Sequence, residues 1–178
     1  MTTPFRAGSS SIVDRMRGAA LLDVATYEEV EHDTTATGQA AVVVALAAVA
    51  AAIGSIFRGG PGLIGALVAY LVGWLLWSGI TYFVGTRVFN GTATWGELLR
   101  TLGFAQAPGL LLAVAFIPLL GWVVRLIVGI WLLATGLVAI RQALDISTGK
   151  AIGTAVLGWL ASIIVNAVVF GLLGMSMR

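Results

Sequence analysis

Apolar residues fill three long stretches of this chain, and polar residues gather at their boundaries. From Gly38 to Thr86 there are 49 residues with a single charge, Arg58. A helix rises about 1.5 Å per residue and a bilayer core is roughly 30 Å thick, so about 20 residues make one crossing. This stretch therefore predicts two. Arg58-Gly59-Gly60-Pro61-Gly62 marks the break, a helix stop followed by a Pro-assisted restart. Thr101 to Ile140 holds 40 residues with one charge, Arg125, and predicts two more crossings joined near Pro118-Leu119-Leu120-Gly121-Trp122. Ala151 to Met177 carries no charge and predicts a fifth. The expected fold is all-α: a polytopic integral membrane protein with five transmembrane helices. They lie near 38–57, 62–85, 101–118, 122–140 and 151–174, within residues 38–177.

Helix starts agree with this division. Thr37 and Thr148 stand where an N-cap hydroxyl is needed at the first and fifth crossings, and Thr94…Glu97 has the spacing of a capping box. Residues 1–37 form an expected cytoplasmic segment with an amphipathic helix from Ser11 to Asp33. Ile12, Met16, Ala20, Val24 and Tyr27 recur at three-to-four spacing, with Asp14, Arg15, Asp23 and Glu28 elsewhere on the wheel. Such a helix rests on lipid headgroups or docks a cytosolic partner, and its removal (residues 1–33) is expected to spare the bundle.

Composition narrows the class further. Hydrophobic residues make up 59% and charged residues 10%, with 23 glycines, and mean hydropathy is +1.01. A soluble globule of this size cannot hide that much apolar surface. The chain has no cysteine, one histidine and one lysine, so thiolate chemistry is excluded and acid/base chemistry has little material. The net charge of +2 arises from scattered arginines, which argues against nucleic acid as a partner. No apolar h-region follows the early basic residues, so no signal peptide is expected. Seven basic residues (Arg6, Arg15, Arg17, Arg87, Arg100, Arg141, Lys150) fall on one side of the predicted topology, against Arg58, Arg125 and Arg178. The excess places the N-terminus in the cytoplasm and the C-terminus outside. Asn90-Gly91-Thr92 then lies on the cytoplasmic side, and its glycosylation pattern is disregarded.

The densest polar run is Tyr27 to Asp33. It reads as a solvated acidic face or a surface for a basic partner, with Asp23, Tyr27, Glu28, Glu29 and Glu31 as candidate contacts. Glu29 and His32 have the spacing of carboxylate-bridged metal pairs, but such sites need a second copy and two further glutamates. Beyond position 33 the only acids are Glu97 and Asp145, so no metal or cofactor is expected. Gly65, Ala69 and Gly73 on the second crossing, and Thr154, Gly158, Ser162 and Asn166 on the fifth, recur every four residues. These stripes pack helices within the chain, or one faces outward in a homo-oligomer. Arg125 is expected to snorkel or to pair with Asn166. Pro108 is expected to kink the third crossing, with Gln106 compensating the lost bond. Gly60-Pro61-Gly62-Leu63-Ile64-Gly65 matches the dinucleotide pattern by letters alone, because no strand precedes it. No catalytic constellation is present, so no enzyme is expected.

Several segments resemble the prokaryotic branch of the Yip (Ypt/Rab-interacting-type) family of membrane proteins. They are LDVATYEEVE from Leu22 to Glu31, TWGELLRTLGFAQAPG from Thr94 to Gly109, IRQALD from Ile140 to Asp145, and STGKA from Ser147 to Ala151. Gly103-Phe104…Pro108 is similar to the Gly-Tyr-x-x-x-Pro pattern of the eukaryotic branch, with Phe for Tyr. The resemblance implies five membrane helices and a cytoplasmic N-terminus. Eukaryotic relatives bind prenylated Rab-type GTPases, but the Asp-Leu-Tyr-Gly-Pro-like segment of that branch is missing, with only Leu22-Asp23 in a comparable place. The expected protein is a scaffold in a bacterial inner membrane, in contact with the bilayer and an unidentified protein partner. The alternatives are a small oligomeric transporter or channel, or an accessory subunit of a larger complex.

Overall fold

The computed structural model describes residues 10–58 and 62–176, with residues 58 and 165–176 described by backbone alone. Among these residues the regular elements are all helical. Helix α1 runs Ile12–Ala20 and α2 runs Val24–His32. The single helix expected over Ser11–Asp33 is thus a two-helix hairpin. Leu22 turns the chain in the left-handed region (φ 63°). The Asp23 carboxylate then caps α2, accepting from Thr26 N at 3.2 Å. A side-chain cap ends one helix and starts another, which a continuous amphipathic pattern conceals.

Among the described residues three helices are long and apolar enough to cross a membrane: α3 (Ala36–Gly54), α4 (Gly62–Phe89) and α6 (Gly121–Ala143). Helix α7 runs Thr148–Ser176, and its portion Thr148–Ile164 is a shorter apolar helix. The third expected crossing is broken. Helix α5 covers Trp95–Phe104, and a 3-10 segment continues over Ala107–Val114 with Pro108 in its first turn. The break replaces the expected kink, since Pro108 supplies no N–H and the chain tightens rather than bends. The Thr94 capping box forms as expected at the start of α5. Thr37 is not a cap: α3 starts at Ala36, and the Thr37 hydroxyl donates to Thr34 O at 3.2 Å.

Alanine-rich α3 is the spine, packing against the 3-10 segment, α4 and α5. Its Ala36, Ala40, Val43 and Ala47 are fully buried. Small side chains let backbones close up without any hydrophobic drive between helices in lipid. Gly103 of α5 shows how close: a Cβ there would lie 2.7 Å from Ala40 Cβ. The other faces are apolar and exposed, with Ile64, Val68, Leu76, Phe83, Ile130 and Leu133 turned away from the chain. That inversion suits a lipid solvent.

The α1–α2 hairpin belongs to this core. Ala19, Tyr27 and Val30 are fully buried in the same cluster as Phe104, Leu98 and Ile140. Trp131 of α6 donates to Ala20 O at 2.7 Å. The Tyr27 hydroxyl sits 3.0 Å from Ala19 O and 3.2 Å from Thr135 O, sharing its hydrogen between them. The hairpin is thus packed into the bundle, where the sequence predicted a segment that could be removed without disturbing it. Removing α1 and α2 would take away the Ala20 carbonyl that the Trp131 indole N–H uses.

Candidate functional site

Three separate segments meet at one end of the molecule: the α1–α2 hairpin, the loop from α4 to α5, and the turn from α6 to α7. Arg100, 6% exposed, donates its Nε to Val30 O at 2.9 Å and its Nη2 to Glu31 O, closing the carbonyl end of α2. Gln142 Nε2 donates to Glu28 Oε1 at 2.6 Å, and Arg141 Nε donates to Gln142 Oε1 at 2.8 Å. Thr92 donates its N–H to Leu144 O (3.2 Å) and its hydroxyl to Asp145 Oδ2 (3.0 Å). Leu144 fits where Gly85 and Gly91 carry no side chain; a Cβ on Gly85 would lie 2.4 Å from its Cδ1. A side chain at Gly85 would force Leu144 to shift.

Within the hairpin, Arg15 is 1% exposed and holds Glu29 Oε1 at 2.9 Å, Asp33 Oδ2 at 2.5 Å and Gln39 Oε1 at 2.9 Å. Burial opposes its charge, but the hydrogen bonds to Asp33 and Glu29 outweigh it and hold the guanidinium above its ordinary pKa. Asp33 lies below the usual carboxylate range, first through the Thr35 hydroxyl and then through Arg15. Arg15 makes four hydrogen bonds to Glu29, Asp33 and Gln39, which offset part of the cost of burying its charge.

The structure thus reassigns most of the acidic run. Asp23 is exposed but occupied as a cap. Tyr27 is fully buried, and burial pushes its phenol well above its usual value. Glu29 faces Arg15 and Ser10, whose hydroxyl donates to Glu29 Oε2 at 2.9 Å. Glu28, Glu31 and His32 point to the other side, toward Gln142, Asp145 and Glu97. Glu31 is 5% exposed and its Oε2 is buried without a hydrogen-bond partner. Desolvation, then repulsion from Glu28, pushes its pKa up to about 7. His32 is raised as well, first by its Nδ1 contact with Glu28 O at 2.8 Å.

The remaining candidates divide. Gly158 packs in the chain, where its Cβ would lie 3.4 Å from Trp77, and the Ser162 hydroxyl donates to Trp159 O at 2.7 Å. On α4, Ala69 and Gly73 are exposed, Gly73 with nothing within 4 Å, while Gly65 is half-buried. Arg125 Nη2 donates to Gly54 O at 2.7 Å and Ala115 O at 2.9 Å, so carbonyls at the opposite end satisfy it. The Asn166 side chain lies outside the described residues. Pro108 is buried, and half-buried Gln106 precedes the 3-10 segment, its carbonyl accepting from Gly109 N at 2.8 Å. The Thr135 hydroxyl supports the break by donating to Ala105 O at 2.8 Å. Nothing in the sequence signals that Arg15, Gln39 and Thr135 hold distant segments together. Glu28, Glu31 and His32 share a helix face by their i, i+3, i+4 spacing, although the metal-pair spacing read from the sequence is that of Glu29 with His32.

A family model described as the Yip1 domain matches residues 24–170, from the start of α2 into α7. The chain belongs to the Yip1 domain family. No curated protein matches it, and no solved structure does. The Yip1 domain thus takes in Glu28, Glu31, Arg100, Gln142 and every helix from α2 onward, while Arg15 precedes it.

Proposed function

We propose that this chain is a non-enzymatic, five-pass protein of a bacterial inner membrane that gathers partners at its polar end, which faces the cytoplasm. The observation that carries the reading is the locking of three distant segments into one rigid polar end by Arg100, Gln142 and Thr92. Glu97 and Asp145, the only acids beyond position 33, both sit there. A transporter's coupling carboxylate would instead lie within a crossing. A fifth pass is supported by the uncharged run from Thr101 to Pro118, which takes in the end of α5 and the 3-10 segment. Orientation is supported by the basic residues Arg87, Arg100, Arg141 and Lys150 at this end.

The test is extraction of the full chain from native membranes into nanodiscs, followed by intact-complex mass analysis. A stoichiometric companion is expected. It should be lost with Arg87→Ala and Lys150→Ala combined, and kept with Trp122→Ala at the opposite end. A companion indifferent to the polar-end variant overturns the reading, as does solute flux through proteoliposomes with no companion present.

A further inference from the structure

We propose that Glu28, Glu31 and His32 form a binding site for one first-row divalent cation of the Zn2+ kind, on the face of α2 turned toward α5 and α6. One ligand atom from each residue lies within 4.8 Å of the others. Positions 28, 31 and 32 share a helix face by spacing, so the backbone presents all three together. Glu29, one position on, faces Arg15 instead.

Glu31 is the observation that points to a ligand. It is 5% exposed, and its Oε2 is buried with no hydrogen-bond partner. A buried carboxylate oxygen left unpaired costs about 1–3 kcal/mol, more when charged, unless something binds it. Arg100 donates to the Val30 and Glu31 carbonyls and not to this oxygen.

The other two ligands are already oriented. A metal-binding imidazole donates its second nitrogen to a carbonyl or carboxylate, which fixes the ring. His32 has this arrangement: Nδ1 lies 2.8 Å from Glu28 O, leaving Nε2 free. The Glu28 carboxylate is held through one oxygen by Gln142 Nε2 at 2.6 Å, leaving the other oxygen available. Gln142 is itself fixed by Arg141. The site lies in the last turn of α2, where the helix dipole favours a cation.

One imidazole with two carboxylates suits Zn2+ or Mn2+ better than Mg2+ or Ca2+, which prefer oxygen throughout. Three protein ligands leave a fourth position open for water or another donor. The two-metal requirement that excluded a Glu29–His32 centre does not apply to a single ion. The site stands on side-chain placement and needs no docking partner.

The chain contains one histidine, which makes the test specific. Full-length protein without a polyhistidine tag, stripped with chelator, is titrated with Zn2+ alone by calorimetry. One ion per chain is expected, with affinity reduced at least 10-fold by Glu31→Gln or His32→Gln and unchanged by the remote Asp14→Asn. In the unaltered protein, Zn2+ should also slow diethylpyrocarbonate modification of His32 at least 10-fold, a readout that needs no variant to fold. Absence of Zn2+ binding, affinity indifferent to both substitutions, or unprotected His32 at saturating Zn2+ overturns the site.

Discussion

Glu31 carries its carboxyl into a place where one of its oxygens is buried and no protein donor meets it. Its pKa of about 7 in the folded chain, against 4.5 for the free group, fixes the sign of a pH effect. Between those values the native state keeps a proton that the unfolded chain releases, so stability falls as pH rises through the window. In chelator, Glu31→Gln should therefore raise the melting temperature at pH 8 and leave it nearly unchanged below pH 5. The gain is about 1–2 kcal/mol once solvent screening is allowed for. Thermal melts of both proteins across pH 5–8 check this, and a pH-independent difference would refute it. Gly103 has the opposite sensitivity. Gly103→Ala drives a methyl into Ala40 and should destabilise by about 1–3 kcal/mol, more than the helix propensity it gains. Its melting temperature in detergent should fall.

At the scale of elements, hydropathy located α3, α4, α6 and the start of α7, because a bilayer selects for length and apolarity and little else. It could not see where helicity fails. The stretch around Pro108 is as apolar as its neighbours, yet it changes from α to 3-10 at Ala107. What permits the change is the Thr135 hydroxyl on Ala105 O, a partner thirty residues away. The acidic run was misjudged for a similar reason. Charged residues are rarely buried unless paired, so Glu29 read as solvated. Its partner Arg15 lies in a helix that folds back only because Leu22 adopts a left-handed turn, which leucine seldom takes. The capping box at Thr94, by contrast, is local and was readable outright.

For the whole molecule, the two ends are held differently. The polar end is tied by several long-range hydrogen bonds. The opposite end depends on Arg125, which joins the close of α3 to the 3-10 segment through Gly54 O and Ala115 O. Hydrogen bonds involving a charged group contribute about 1.5–3 kcal/mol. Arg125→Met should accordingly lower the melting temperature while leaving the polar-end contacts, and Zn2+ affinity, intact. A melt matching the unaltered protein would show that the opposite end is held by other means.

The seat of the α1–α2 hairpin sets a clock on biogenesis. Tyr27 and Ala20 are made early, but the groups that receive them, Thr135 and Trp131, follow 108 and 111 residues later. At the roughly 5–20 residues per second of synthesis, the first two helices wait about 5–20 s for their place. Through that interval the hairpin is made but not seated.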